Sequence, residues 1–291
     1  MNLSSWIMGA RPRTLTLSAA PVAVGTAVAW AMERKVLWLA VLAAFVASVC
    51  IQIGTNLHND AVDSVRGGDG PERLGPPRVT ASGLLSAQEV KLGALVCFGI
   101  AALLGLYLIV IGGWPILLLG LLSILSGWAY TGGPLPIAYT PLGEAFVMAF
   151  FGLGAVCGTY WLCTAELDSA PIITGIAIGS LTSVVLLVNN HRDAKTDARA
   201  GRKTLAILAG PAATSWIFAG LMLLPFALLM PLRDALSAGH VWPSLLALPL
   251  ALLVIYRFAH EPRGPVFNQI LVQTVQVQFL FAVFLCLGLI L

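Results

Sequence analysis

The chain has 291 residues, 58% of them hydrophobic and only 10% charged, with a formal charge of +3 and a mean hydropathy of +0.91. A soluble domain carries about a quarter charged residues, so a water-soluble globule is excluded and the class is an all-α, polytopic membrane protein. The partner this composition requires is a lipid bilayer; the small net charge gives no basic surface for nucleic acid.

Apolar runs of roughly 18–25 residues are long enough to cross hydrocarbon. Nine are marked, at about 14–32, 36–58, 89–111, 114–131, 141–164, 170–191, 212–232, 241–259 and 270–290. The first is the least apolar, with Thr14, Thr16, Ser18 and Pro21. Arg11 and Arg13 before it and Ala29-Trp30-Ala31 at its end resemble a cleavable leader, but the run is long for that and is read as a span. The ninth opens with Gln269, Gln273 and Gln276 on one helical face, expected to look into the bundle. Cys50, Cys97, Cys157, Cys163 and Cys286 lie in or beside apolar runs without C-x-x-C spacing and read as packing residues. With nine spans, the N-terminus and every second connection share a side. Thirteen of the sixteen Lys and Arg fall there, leaving Arg34, Lys35 and Arg233 opposite. Cations near span ends stay in the cytoplasm, so the N-terminus is expected in the cytoplasm, in an inner or plasma membrane. The whole chain, 1–291, is expected to form a single transmembrane domain.

Two polar stretches interrupt this pattern. The first, Asn56 to Ser86, holds Asn59, Asp60, Asp63, Arg66, Asp69, Glu72, Arg73 and Arg78 among Gly67, Gly68, Gly70 and Gly75. The second, Asn189 to Thr204, holds Asn190, His191, Arg192, Asp193, Lys195, Asp197, Arg202 and Lys203. They fill the connections at about 59–88 and 192–211, both cytoplasmic by the cation count. Charges beside hydrocarbon cost several kcal/mol and mark function. Asn59 and Asp63 are four apart and share a helical face, as do Asn189, Asp193 and Asp197. The Asn-x-x-x-Asp pair recurs after 130 residues, or four spans, which puts similar clusters at equivalent helix ends.

Two such faces, converging, offer carboxylates and amides to a hard cation, Mg²⁺ or Mn²⁺. Mg²⁺ takes few protein carboxylates and shares substrate phosphates. Arg66, Arg73, Arg78, Arg192, Lys195, Arg202 and Lys203 suit the rest of a diphosphate. A diphosphate at the mouth of an apolar bundle implies an apolar tail, as in a polyprenyl diphosphate. Breaking its C–O bond gives an allylic cation that needs π or amide groups and exclusion from water. Tyr130, Tyr139 and Asn59 are candidates, with Tyr160 and Trp161 read as interface anchors on the opposite side.

These residues together resemble the UbiA superfamily of intramembrane aromatic prenyltransferases. The paired signatures are Asn59-x-x-x-Asp63-x-x-x-Gly67 and Asp193-x-x-x-Asp197. Further similar segments are Arg11-Pro12-Arg13-Thr14, Arg73-Leu74-Gly75-Pro76-x-Arg78, Tyr130-Thr131-Gly132-Gly133-Pro134, Leu142-Gly143-Glu144 and Asn189-Asn190-x-Arg192-Asp193. They are most similar to the superfamily's 1,4-dihydroxy-2-naphthoate branch. The resemblance implies about nine helices around a central cavity, with Mg²⁺ between the two motifs. It makes Asp63, Asp193 and Asp197 metal–diphosphate ligands, with Asp60 and Asp69 as further metal candidates, and lines the same site with Asn59 and Asn189. Gly67 stands where other branches carry an Asp, which Asp69 would offset, and His191 stands where an apolar residue is expected. The implied reaction joins the prenyl group to the naphthoate ring with loss of CO₂ and diphosphate, giving demethylmenaquinol. Arg11 or Arg13 would meet the acceptor's carboxylate. Other acceptors, 4-hydroxybenzoate or homogentisate, are the rivals within the family. An ion-coupled transporter is the rival from another class, but its sites lie near the midplane, whereas both clusters here sit at one end. A zinc or iron site using His58 and His191 lacks the ligand spacing.

Overall fold

The computed structural model describes residues 3–65, 74–236 and 239–291. Arg66, Asp69 and Arg73 of the first polar stretch lie outside the described residues. A short helix α1 (Leu3–Ala10) leads into α2 (Pro12–Glu33) and α3 (Trp38–Val65), and α4 (Ala87–Ala129) follows the first polar connection. Helix α5 (Gly143–Val147), a π-helical stretch (Met148–Gly154) and α6 (Ala155–Thr164) run on as one rod, and a turn beginning at left-handed Ala165 leads to α7 (Ser169–Arg199). Then come α8 (Leu205–Ala227), α9 (Leu229–Ala235), α10 (Leu248–His260) and α11 (Phe267–Ile290).

Among the described residues, 8 helical rods are long and apolar enough to cross a membrane. One of them, α4, is two spans. A straight helix of its 43 residues would reach about 65 Å, twice the hydrocarbon thickness. Instead the backbone breaks at Gly113 (φ 69°, ψ −155°), a left-handed conformation that glycine adopts without a Cβ penalty, with Pro115 just beyond. The second half folds back so closely that a Cβ on Gly127 would lie 3.3 Å from the Phe98 ring. The break frees the Gly112 carbonyl, and the Trp161 indole N–H takes it at 2.8 Å. The nine expected spans are therefore present, two of them joined across Gly113.

The polar stretches are more helical than expected. Helix α3 continues to Val65 and α7 to Arg199, so the second connection contracts to 200–204. The 31 residues of α7 extend about 46 Å, beyond an apolar layer of about 30 Å. Its last turns leave the hydrocarbon and become polar without losing their backbone hydrogen bonds.

Helix α7 is the most enclosed span. On one side the π-helical stretch lies against it backbone to backbone: a Cβ on Gly152 would strike Gly175 and Gly179, the small-residue packing that membrane helices use. On its other side, α8, α10, α11 and α2 form a solid core, with Phe218 stacked on Phe258 at 4.0 Å between ring centroids. The aliphatic side chains of α4, Leu92, Leu95, Leu103 and Val110, face outward where lipid would lie. Between α2, α3, α4, the α5–α6 rod and α7 remains a cavity of about 490 Å³, lined from Arg11 to Asn189; α8, α10 and α11 stand behind its wall.

Two smaller expectations change. The glutamine face of α11 does not look into the bundle: Gln269 and Gln276 are exposed, and Arg257 donates to Gln273 at 2.8 Å and to Gln269 at 3.4 Å. The inward face of α11 belongs to Phe267, Ile270, Thr274, Val277 and Phe281. His191 faces neither lipid nor cavity. It is 3% exposed, packed against Phe258 and Phe267, and accepts from the Arg263 Nε–H at 3.0 Å.

Candidate active site

The two polar helix ends converge, and the junction is an arginine. Asp63, on the last turn of α3, is 2% exposed. Its Oδ2 accepts from Arg78 Nη2 at 2.7 Å and its Oδ1 from Arg202 Nη2 at 3.1 Å. The other terminal nitrogen of Arg202, Nη1, lies 3.3 Å from Asp197 Oδ1 on α7. One guanidinium thus joins the first motif to the second. Desolvation works against its charge, but the carboxylates of Asp63 and Asp197 outweigh it and raise its pKa. The Arg202 guanidinium also lies over the Tyr139 ring, 5.0 Å from its centroid, so Tyr139 packs the arginine.

Asp193 completes the group. Arg192 grips it as a fork, Nε to Oδ1 at 2.8 Å and Nη2 to Oδ2 at 2.6 Å. Arg192 is itself 5% exposed, and its third nitrogen donates to Asn268 Oδ1 of α11 at 2.7 Å. Asn268 in turn donates to the Leu74 carbonyl at 2.9 Å, tying α11 to the first polar connection. Asp60 points elsewhere. Its oxygens accept the backbone N–H groups of Val79 and Thr80 at 3.2 and 3.0 Å, so it anchors the returning chain.

One turn below Asp63 and Asp193, about 5.4 Å along each axis, Asn59 and Asn189 line the upper cavity with Tyr130, Asn56, Thr14 and Arg11. Asn59 accepts from Thr131 at 2.6 Å, and Asn56 donates to the Ala10 carbonyl at 3.0 Å and to Thr14 at 3.2 Å. Below these groups the wall is apolar, with Leu106, Ile109, Ile116, Phe146, Phe150 and Leu162. Arg11, left-handed at φ 53°, stands at the polar end, whereas Arg13, Lys195 and Lys203 are exposed. Tyr160 donates to Asp168 at 2.6 Å and Trp161 donates to the Gly112 carbonyl, both at the opposite end of the bundle from Asp63; Tyr160 is fully buried in the core and so does not face the membrane interface as expected.

The sequence reading missed three partners. Asn268 lies one residue before the glutamine face that drew attention, about 100° away on the helix. Thr131 meets Asn59 from 72 residues away. Glu144 is 5% exposed and accepts from Asn190 at 2.8 Å; an acid opening an apolar span was its signal. Among the described residues, no three acidic, histidine or cysteine side chains group closely enough to hold a metal by themselves. The donors present are carboxylate oxygens, the type that Mg²⁺ and Mn²⁺ favour. Beside them the buried Arg202 Nε–H has no acceptor among the described residues, which suits an anion arriving with the cation. The arrangement joins a hard-cation and phosphate-binding end to an apolar chamber.

Known proteins resemble this chain in sequence and in fold. The sequence model of the UbiA prenyltransferase family matches residues 18–267. A protein of Mycobacterium tuberculosis named 1,4-dihydroxy-2-naphthoate octaprenyltransferase is 38% identical over 86% of this chain and 85% of its own length. One of the same name from Haemophilus influenzae is 34% identical over 99% and 97%. The solved structure of a UbiA homolog from Archaeoglobus fulgidus bound to DMAPP and Mg²⁺ aligns with a TM-score of 0.70 over 98% of this chain and 99% of that one; at 16% identity the likeness shows the fold.

Proposed function

The chain belongs to the UbiA prenyltransferase family, and from that premise we propose that it transfers a polyprenyl group from polyprenyl diphosphate to 1,4-dihydroxy-2-naphthoate, releasing diphosphate and CO₂. The observation that carries this reading is Arg202 bridging Asp63 and Asp197 at 3.1 and 3.3 Å, beside an apolar cavity of about 490 Å³. The diphosphate goes to the charged end and the prenyl chain into the cavity. The relatives' shared name supports the naphthoate as acceptor.

Asp63, Asp193 and Asp197 would hold Mg²⁺ or Mn²⁺, which when bound neutralises the departing diphosphate. Arg78 and Arg202 bind phosphate oxygens. As the allylic C–O bond breaks, Asn59, Asn189 and Tyr130 present amide and π groups to the carbon becoming positive. The apolar wall below them keeps water from that carbon. The ring carbon bearing the carboxylate forms the new C–C bond, and the C–CO₂ bond then breaks, returning its electron pair to the ring. Arg11, at the polar end, pairs with the acceptor's carboxylate. Arg192 and Asp60 act on position: the first holds Asp193, the second the chain at Val79 and Thr80. The entire chain works as one unit, with its N-terminus and both aspartate motifs on the cytoplasmic side.

Purified protein in liposomes, given Mg²⁺, a labelled polyprenyl diphosphate and a choice of acids, should prenylate 1,4-dihydroxy-2-naphthoate and leave 4-hydroxybenzoate and homogentisate unreacted. Preference for either of the latter would contradict the acceptor. EDTA should abolish turnover, and added Mg²⁺ or Mn²⁺ should restore it; full activity in EDTA would contradict the metal's role.

A further inference from the structure

Asp63, Asp193 and Asp197 all lie at the polar end, and each is held by a guanidinium. Asp63 has one on each oxygen, Arg78 at 2.7 Å and Arg202 at 3.1 Å; Asp197 shares Arg202; Asp193 has the fork of Arg192. Asp63, Asp193 and Asp197 balance Arg78, Arg192 and Arg202, so these six described side chains together carry no net charge. Neutrality matters because Asp63 and Arg78 are buried, and an unpaired buried ion costs several kcal/mol.

A divalent cation arriving alone meets an unfavourable choice. Displacing Arg202 takes both its carboxylates, Asp63 and Asp197, from a largely enclosed guanidinium; sitting beside the pairs adds two positive charges to side chains that already balance. A diphosphate arriving alone meets three carboxylates. Together the two ligands remove both difficulties: the cation takes carboxylate oxygens, and the arginines turn to phosphate oxygens, which suit their planar donors. Arg202 already carries a buried Nε–H with no acceptor among the described residues. Arg192 differs, because Asn268 holds it at 2.7 Å as well and fixes it on Asp193.

We propose that Arg78 and Arg202 are shared counter-ions for which the aspartates and the diphosphate compete, so that the cation is taken up together with the diphosphate and not ahead of it. The inference rests on the prenyltransferase reading and adds to it an order of binding and two residues that impose it. Because coupling between two ligands is reciprocal, each should strengthen the other's binding by the same factor.

The test is equilibrium dialysis of the full-length protein in detergent against Mn²⁺, with and without inorganic diphosphate, counting Mn²⁺ retained per protein. For the wild type, diphosphate should tighten Mn²⁺ binding by about tenfold or more, within the usual range of coupling. Arg202→Gln, which removes the charge shared by Asp63 and Asp197, should bind Mn²⁺ alone more tightly than the wild type and gain less from diphosphate. Equal wild-type binding in both conditions would overturn the inference and leave the prenyltransferase reading standing. Weaker binding of Mn²⁺ alone by a folded Arg202→Gln protein would also overturn it. No Mn²⁺ retained in either condition would overturn both. The wild-type comparison decides the matter even where the variant does not fold.

Discussion

Asp60 and Asp63 stand less than one helical turn apart and meet different partners. Asp63 faces two arginines, and Asp60 faces two backbone amides. The i, i+4 spacing with Asn59 separates them in the sequence, because helical phase is a local property. What each faces is not local: Arg202 lies 139 residues from Asp63. Asp63→Asn, Asp193→Asn or Asp197→Asn should each lower kcat by about 100-fold or more, the scale of losing one preorganised charge contact, with a smaller change in the acceptor's KM. Asp60→Asn should keep kcat within a few-fold and lower the thermal unfolding midpoint, since one backbone amide loses its acceptor at a cost of about 1–3 kcal/mol. Steady-state kinetics beside thermal unfolding in detergent separates the two. Wild-type turnover in Asp63→Asn with loss in Asp60→Asn would reverse the roles. Asn268 was illegible for a related reason: it reaches Arg192 across 76 residues, and only packing of α11 against α7 brings them together.

At the scale of elements, span boundaries follow from hydrophobic length and agree with the helices found. The Gly112-Gly113-Trp114-Pro115 sequence separated the two runs that the structure joins as α4. The π-helical stretch Met148–Gly154 left no such mark, because it depends on the approach of α7 at Gly175 and Gly179. That contact makes a sharp prediction. Gly152→Val drives side-chain atoms into the backbone of α7 and should cost about 1–3 kcal/mol or more, seen as loss of monodisperse protein on extraction. Gly99→Val is the control, since a Cβ there meets nothing within 4 Å. Equal yields from the two variants would contradict the close packing.

At the scale of the molecule, hydrogen bonds join the polar ends of six elements on one side: α3, the α5–α6 rod, α7, α10, α11 and the chain around Leu74. On the proposed topology, which rests on the cation asymmetry, that side is cytoplasmic. A cysteine at exposed Ala198 should therefore resist an impermeant thiol reagent in intact cells, while one at Leu167, exposed at the other end, should react; the reverse pattern would invert the topology. Span number and the two polar clusters were legible because each depends on local composition. The cavity's extent was not, since its wall takes residues from α2 to α7 while three later spans only support it. The central claim is that one site breaks the prenyl–oxygen bond and expels the acceptor's carboxylate. Its most direct test uses 1,4-dihydroxy-2-naphthoate labelled in the carboxyl carbon, and counts labelled CO₂, diphosphate and prenylated product from the same liposomes. Equal amounts of all three are expected, lost together in Asp63→Asn and Asp197→Asn; a prenylated product that retains the label, or unchanged yields from both variants, would contradict a single prenylating and decarboxylating site.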